Sequence, residues 1–528
     1  MVETVLEKSR QAREETVVEP IRDATTLWNL VELRAAQSPD HPMLFDASGR
    51  TVTFSQFRDL AERVAAGLQK FGISAGTKVS WQLPTRIDTV VLSMALCRLG
   101  ALQNPILHLY REREVGFALR QTGSAFFFTV GDFRGTNFLE IAATATADLD
   151  QPPTILSIDD GLPEGDPSSL AAFDANSTAV KWIYYTSGST ADPKGVQHTD
   201  RSLIAGGWGL AKALDMSPDD VGSIAFPYAH IGGPDYLVTM LTWGFPAVLL
   251  EAFVMDEALP LFQQRGATMV GGASAFYIAY LAEQRKNPSV PILPTLRLMS
   301  GGGSAKPPEL HYEVKSEIGG RGVVHGYGMT EVPMISNGSP HDTDEQLANT
   351  DGAPIDGADV RIVTLDGRLA GPDEEGEVRV KGPMVFVGYT DPALDVDAFD
   401  DEGYFRTGDL GRLRSDGHLT LTGRLKDIIV RKGENISASE IENLLYGHPK
   451  VAEVAVIGLP DATRGERVCA VVRLVDGAEA ITLAEVQDFC REAGLMIQKT
   501  PEQVELVDDM PRAGTGKIVK RALQERFS

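Results

Sequence analysis

The stretch Tyr184–Val196, YYTSGSTADPKGV, places four hydroxyl side chains around one glycine and follows them with a lysine. Thr186, Ser187, Ser189 and Thr190 offer O–H donors, Gly188 lets the backbone close on a ligand, and Lys194 adds a point charge. That set suits a polyphosphate, whose oxygens accept from hydroxyls and whose charge an ammonium neutralises; a threonine hydroxyl can also reach a bound Mg2+. A P-loop would read G-x-x-x-x-G-K-[ST]. Here Pro193 stands in place of the second glycine and Gly195 in place of the Ser or Thr. The plain alternative is a Ser/Thr-rich surface turn. Against it, KWIYY leads into the loop as a buried-looking strand, and phosphate sites favour loops that follow strands.

Further clusters lie downstream. HGYGMTE (325–331) offers Gly326 and Gly328, an aromatic face at Tyr327 that can cover a purine, then Met329, a donor at Thr330 and an oxygen ligand for Mg2+ at Glu331. MSGGGSAKP (299–307) has consecutive glycines, Gly301, Gly302 and Gly303, which permit close approach to the backbone. YFRTGDLGRL sets Asp409 between glycines, where a carboxylate could take paired ribose hydroxyls. LTGRLKDIIVRKGENIS supplies Arg424, Lys426, Arg431 and Lys432, and PRAGTGKIVKRAL supplies Lys517 after a Gly-Thr-Gly turn. Singly, each also reads as an ordinary turn or a solvated face.

These residues must be positioned by a chain of 528 residues, more than one hydrophobic core usually serves, so two or more domains are expected. A net charge of −24 disfavours a nucleic-acid surface, so an anionic ligand needs a locally built positive site. Three widely spaced cysteines give neither a disulfide framework nor a C-x-x-C metal site, which fits a reducing compartment. The charged N-terminus is no secretory signal and no apolar run approaches a membrane span, so a cytoplasmic enzyme is expected.

Strand and helix patterns alternate to about residue 350, which predicts an α/β domain with a largely parallel sheet. FSQFRDLAERVAAGLQKFG predicts a helix with Phe57, Leu60, Val64, Leu68 and Phe71 on one face and Gly72 as its cap. Residues 351–425 show short alternating strands with Asp-Gly turns at 366–367 and 416–417, read as a small β-barrel-like unit. A compact α+β domain follows over 426–528, where Ser437 and Glu440 have capping-box spacing.

Taken in order, TSGST-x-x-PKG, GYGMTE, YFRTGDL, GRLKDIIVRKGENIS and PRAGTGKI resemble the AMP-forming adenylating superfamily, from about residue 25 onward. That group includes acyl-CoA synthetases, adenylation domains of peptide synthetases and firefly-type luciferases. The resemblance implies that a carboxylic acid is joined to AMP with release of pyrophosphate and its acyl group then passed to a thiol, with ATP, Mg2+ and CoA as participants. It further implies that the loop Thr186–Gly195, with Lys194, embraces the outer phosphates, that Thr330 holds the α-phosphate and that Glu331 (with Thr190) carries Mg2+. Tyr327 would flank the adenine, Gly301–Gly303 line the nucleotide and acyl pocket, and Asp409 and Arg424 hold the ribose. Lys517 would reach the reacting carboxylate and the α-phosphate. An N-terminal domain 1–425 and a mobile domain 426–528 would hinge at Lys426, bringing Lys432 and Gly433 to the thiol tunnel. The family loop usually has glycine where this chain has Ala191, which tolerates φ > 0 poorly.

IAFPYAHIGGPDYLV matches the family's acyl-pocket motif, with His230 at the gate. Amino-acid-activating relatives place Asp one residue later, where Ile231 stands here; an ammonium would be left unpaired, so an apolar acid is expected. The segment 100–121 looks like the cyclohexanecarboxylate–CoA ligase branch and its medium-chain relatives. A carrier-protein thiol is the alternative acceptor, and a catalytically silent scaffold is disfavoured by the intact Lys517, Glu331, Thr330 and Asp409. Arg431 and Lys432 are basic candidates for gripping the CoA nucleotide.

Overall fold

The computed structural model describes residues 19–173, 175–176, 178–186, 193–304, 306–432, 434–461, 463–512 and 518–528. Three mixed sheets with flanking helices carry the chain to about residue 355. The largest has seven strands in the order Gly388–Tyr389, Lys194–Thr199, Val180–Thr186, Leu102–Pro105, Lys78–Trp81, Phe126–Thr129, Thr154–Ser157. Its last five strands are parallel; the first two add on antiparallel. The helix Ile87–Leu99, apolar almost all round, is correspondingly buried on nearly every side.

The helix Phe54–Gln69 turns Phe57, Ala61, Val64 and Leu68 inward and is opened by a capping box of Thr53 with Gln56. It ends two residues before Phe71, which leaves the expected stripe and is 46% exposed. A second sheet runs Met269–Gly271, Leu298–Gly302 and Val323–Met329 in parallel, then Val332–Asn337 and Ala353–Pro354 antiparallel. The third is Gly222–Ile224, Ala247–Leu249, Pro42–Phe45 and Thr51–Thr53.

The expected barrel-like unit is instead an antiparallel meander of four strands, Asp359–Val363, Gly376–Lys381, Phe405–Leu413 and Leu419–Arg424. Each pairs with the next, and the first and last lie at opposite edges. The face closes by packing Val378, Val380, Phe405 and Leu419 on Phe386 and Tyr389, so no further strand pairing is required. Both Asp-Gly turns form, with Gly367 at φ 89° and Gly417 at φ 86°.

A single turn, Leu425–Asp427, leads to the C-terminal sheet, built from the hairpin Ile428–Arg431 and Glu434–Ser437 with Val451–Asp461, Gly465–Leu474 and Gln503–Leu506. The Ser437–Glu440 capping box does not form. Ser437 Oγ donates to the Thr422 carbonyl in the preceding sheet, and Glu440 pairs with Lys499 at 2.6 Å. Among the described residues no helix is long and apolar enough to cross a membrane.

The helix Gly232–Trp243 is anchored from a distance. The fully buried Arg34, on helix Leu27–Gln37, donates from Nε to the Leu241 carbonyl (2.7 Å) and from Nη2 to the Thr242 carbonyl (2.6 Å). A cation on the last carbonyls of a helix completes bonds the helix cannot make itself and opposes its dipole. Replacing Arg34 by Met is expected to cost the N-terminal domain about 3 kcal/mol, read as an earlier urea transition.

Candidate functional site

Glycines bring two of the sequence motifs edge to edge. In the parallel pair Leu298–Gly302 and Val323–Met329, Gly301 faces His325 and Gly302 faces Gly326. A Cβ on Gly302 would stand 2.4 Å from the Gly326 carbonyl, and one on Gly301 only 1.6 Å from that of Gly272. The strand ends therefore meet as bare backbone, as the triple glycine predicts.

From that edge the chain continues into Tyr327. Its ring is buried with Val196, Val332 and Val380, and its hydroxyl donates to Asp409 Oδ2 at 2.7 Å. Burial, then the neighbouring carboxylate, holds the Tyr327 phenol well above its usual range, so it remains a donor. Asp409 and Arg424 are cross-strand partners, and Arg424 Nε lies 3.0 Å from Asp409 Oδ1. Arg424 is otherwise exposed.

Thr330 and Glu331 form the turn between Val323–Met329 and Val332–Asn337. Their backbone is clamped: His198 Nε2 lies 2.7 Å from the Thr330 carbonyl, and Phe386 N–H donates to the Glu331 carbonyl at 2.9 Å. Glu331 Oε1 accepts from the Tyr389 hydroxyl at 2.8 Å. The Lys194 ammonium sits over the Tyr389 ring, 5.2 Å from its centroid. Burial raises the Glu331 carboxyl, while the Tyr389 bond and Lys194 pull it back. Register explains the contact, because Tyr389 pairs with Val196, two residues from Lys194.

Tyr389 and His198 are the participants that sequence patterns missed. Tyr389 sits in GPMVFVGYT, whose spacing relates it to neither Lys194 nor Glu331. His198 lies on the strand of Lys194 and left the one signal of a polar residue inside a buried strand; burial drops its imidazole to about 4. Being neutral, it holds its proton on Nε2 toward the carbonyl and turns Nδ1 to Ser202 Oγ at 2.9 Å.

His230 is exposed just ahead of helix Gly232–Trp243, and its Nδ1 accepts from the Gly232 N–H at 3.2 Å. With Tyr184, Tyr185, Ile231 and Thr330 it lines one small cavity. Lys426 lies in the turn Leu425–Asp427 and is exposed. Lys432 takes φ 52° at the tip of its hairpin, its N–H bonded to the Arg464 carbonyl. Arg431 is already committed, its guanidinium forked onto Glu502 at 2.7 and 2.9 Å. Ser187, Gly188, Ser189, Thr190, Ala191, Gly433 and Lys517 lie outside the described residues.

Among the described residues no three His, Cys, Asp or Glu side chains gather as a metal cage. Glu331 is a lone half-buried carboxylate, the donor set expected where Mg2+ takes most of its ligands from phosphate and water.

The Glu331 carboxylate, the Tyr389 hydroxyl and the Lys194 ammonium thus lie together, with Asp409 held by Tyr327 at the other end of the same segment. The AMP-binding enzyme model matches residues 31–390 and the AMP-binding enzyme C-terminal domain model residues 440–517; the chain belongs to the AMP-binding enzyme family. It is 31% identical to the medium-chain fatty-acid–CoA ligase of Escherichia coli (strain K12), over 93% of this chain and 88% of that protein. It is 30% identical to the salicyl-AMP ligase / salicyl-S-ArCP synthetase of Mycobacterium tuberculosis, over 94% and 90%. The structure of o-succinylbenzoate coenzyme A synthetase from Bacillus subtilis, in complex with ATP and magnesium ion, matches with a TM-score of 0.80 at 28% identity, over 94% of this chain and 98% of that one.

His198 gives a pH test. Its folded pKa lies below the unfolded one, so its contribution is complete above about pH 6.5 and is lost as pH falls toward 4. In urea titrations the stability advantage of wild type over His198→Asn is expected to shrink below pH 6.5, by up to ~1.4 kcal/mol per unit.

Proposed function

We propose that this chain is an ATP-dependent acid–thiol ligase that activates a hydrophobic carboxylic acid as its acyl-AMP and passes the acyl group to CoA. The observation that carries the reading is the segment Gly326–Glu331, which holds one carboxylate site at each end: Tyr327 bonds Asp409, and Glu331 bonds Tyr389 beside Lys194.

In this reading a substrate carboxylate oxygen attacks the α-phosphorus of ATP, the bond to the bridging oxygen breaks, and pyrophosphate leaves. Asp409 and Arg424 take the ribose hydroxyls. The bare edge of Gly301, Gly302 and Gly326 admits the nucleotide, and Thr330 donates to the α-phosphate. Lys194 and the hydroxyls of 186–190 meet the outer phosphates. Glu331 would hold Mg2+, which neutralises phosphate charge when bound. Tyr389 orients that carboxylate and keeps its second oxygen free for the ion. Stabilising the charge that develops at phosphorus is the main demand of such transfers, and Lys517 is assigned to it. In the second step the CoA thiolate attacks the acyl carbonyl and AMP departs, after the domain beyond Lys426 has turned and brought Lys432 and Gly433 to the thiol. Ile231, standing where an ammonium-binding Asp would be needed, and the likeness to a medium-chain fatty-acid–CoA ligase support an apolar acid of medium-chain or alicyclic type. Resemblance to a salicyl-S-ArCP synthetase supports a second acceptor, a carrier-protein thiol.

ATP–pyrophosphate exchange over alicyclic, aromatic, medium-chain and amino acids, with free thiol followed when CoA is added, tests the reading. Exchange with apolar acids plus thiol loss is expected. Exchange without thiol loss would favour the carrier protein, and no exchange with any acid would sink both.

Glu331→Gln is expected to lower exchange by ~100-fold or more. Tyr389→Phe should lower it by about ten-fold and raise the Mg2+ concentration needed for half-maximal rate. An unchanged Mg2+ response in Tyr389→Phe would remove Tyr389 from this role.

A further inference from the structure

The loop that leaves the triple glycine is tied down by a lysine. Lys306 is half-buried, and its ammonium donates to the carbonyls of Leu347 at 2.8 Å and Ala348 at 2.6 Å. Both carbonyls belong to the last turn of helix Asp344–Asn349, where a helix cannot complete its own bonds. An ammonium there also opposes the helix dipole. On the loop's other side the Ser274 N–H donates to Ser304 Oγ at 3.2 Å. The loop is therefore pinned between the helices Ser274–Lys286 and Asp344–Asn349, directly after the glycine edge assigned to the nucleotide.

The helix end carries the connection further. Just past it, the Asp351 N–H donates to the Leu419 carbonyl and Asp351 Oδ2 accepts from the Leu421 N–H, each at 2.8 Å. Leu419 and Leu421 belong to the strand Leu419–Arg424, which presents Arg424 to Asp409. Asp351 Oδ1 stands 3.9 Å from Nε2 of His325, the cross-strand partner of Gly301. Burial raises the Asp351 carboxyl, and the Leu421 bond and the Lys306 charge oppose that rise. A connected set of contacts thus runs from the glycine edge through Lys306, the helix end and Asp351 to the strand of the ribose grip.

We propose that Lys306 is a positioning residue for the nucleotide, fastening the loop beyond Gly303 so that the glycine edge keeps a fixed distance from Arg424 and Asp409. It touches no substrate and acts through the wall that the nucleotide meets. This rests on the ATP-using reading above. Binding groups must be held close to their productive geometry, so losing one such fastening weakens the grip on the whole nucleotide.

Burial draws the Lys306 ammonium down to about 8, so the tie is charged at neutral pH and is lost as pH rises through that value. The charged and titratable groups on the elements around it are Glu309 and His311 on helix Pro308–Glu317, His325, Asp351, and Asp344 and Glu345 on the helix it caps. Burial lowers both histidines, His325 to about 3, so neither gains charge at neutral pH or above. Asp344 is bonded to Lys315 and Glu345 to Arg414.

The test uses the full-length enzyme as wild type, Lys306→Met and Lys306→Arg, with AMP binding followed by calorimetry and ATP–pyrophosphate exchange as readouts. Lys306→Met is expected to weaken AMP binding and raise KM for ATP by about ten-fold, with kcat and KM for the acid within about two-fold. Between about pH 7 and about pH 9.5 wild-type affinity for AMP should fall by about ten-fold, while that of Lys306→Met stays level. Lys306→Arg keeps its charge throughout, so it should hold AMP within about three-fold of wild type and lose the pH response. A merely structural lysine would move KM for ATP and for the acid together and leave wild-type AMP affinity level with pH; either result overturns the proposal. If Lys306→Met does not fold, the wild-type pH response and its absence in Lys306→Arg decide. AMP binding that depends on Lys306 without exchange on any acid would defeat the acid-activating reading and leave this role standing. Exchange with AMP affinity unchanged in Lys306→Met defeats this role alone, and a wild type that binds neither AMP nor ATP rejects both.

Discussion

Two tyrosine hydroxyls hold two carboxylates in place, and the site depends on that pairing. Tyr327 donates to Asp409 and Tyr389 to Glu331, each from a ring buried in the same apolar cluster. A carboxylate withdrawn from water needs donors, and a phenol supplies one without cancelling the charge as a salt bridge would. Asp409 and Glu331 are therefore held in fixed orientation, Asp409 taking Tyr327 on one oxygen and Arg424 on the other, and Glu331 taking Tyr389 on Oε1. Lys194 stands over the Tyr389 ring rather than on the carboxylate itself, so its ammonium also remains available.

The rest of the fold can be understood as what brings these rings together. Tyr327 ends a parallel strand of one sheet, Tyr389 edges another, and Asp409 belongs to the antiparallel meander. Three sheets thus converge on one cluster. The clamp of His198 on Thr330 fixes the intervening turn, and burial keeps that histidine neutral so that it bonds without adding a competing charge. The same demand, that a buried polar group find a partner, is met by Arg34 at one end of helix Gly232–Trp243, while near the other end Asp235 Oδ1 has none among the described residues.

Much of this was legible in residue types. Glycines 301 and 302 announced a close backbone approach, and Asp-Gly announced two turns, because each of those is a local steric property. The errors arose where a local pattern met a competing partner. Ser437 had the spacing to cap its helix with Glu440, but the Thr422 carbonyl lay within reach and took the hydroxyl. Arg431 was a basic candidate for the CoA nucleotide, and the fold pairs it bidentately with Glu502, 71 residues later. Alternating strands suggested a small β-barrel-like unit, whereas the four strands form an open meander whose core aromatic residues from outside the sheet complete.

By itself, the sequence determined the family, the order of the glycine-rich and hydroxyl-rich motifs and the chemistry each residue type can perform, since these depend on side-chain identity and short spacing. Tertiary structure alone decided that Tyr389 belongs with Glu331 and that His198 supports Thr330. Those facts depend on register between strands distant in the chain and on how helices pack. A pairing across 58 residues leaves no periodic trace in sequence, because only the folded chain brings its two members within hydrogen-bond distance.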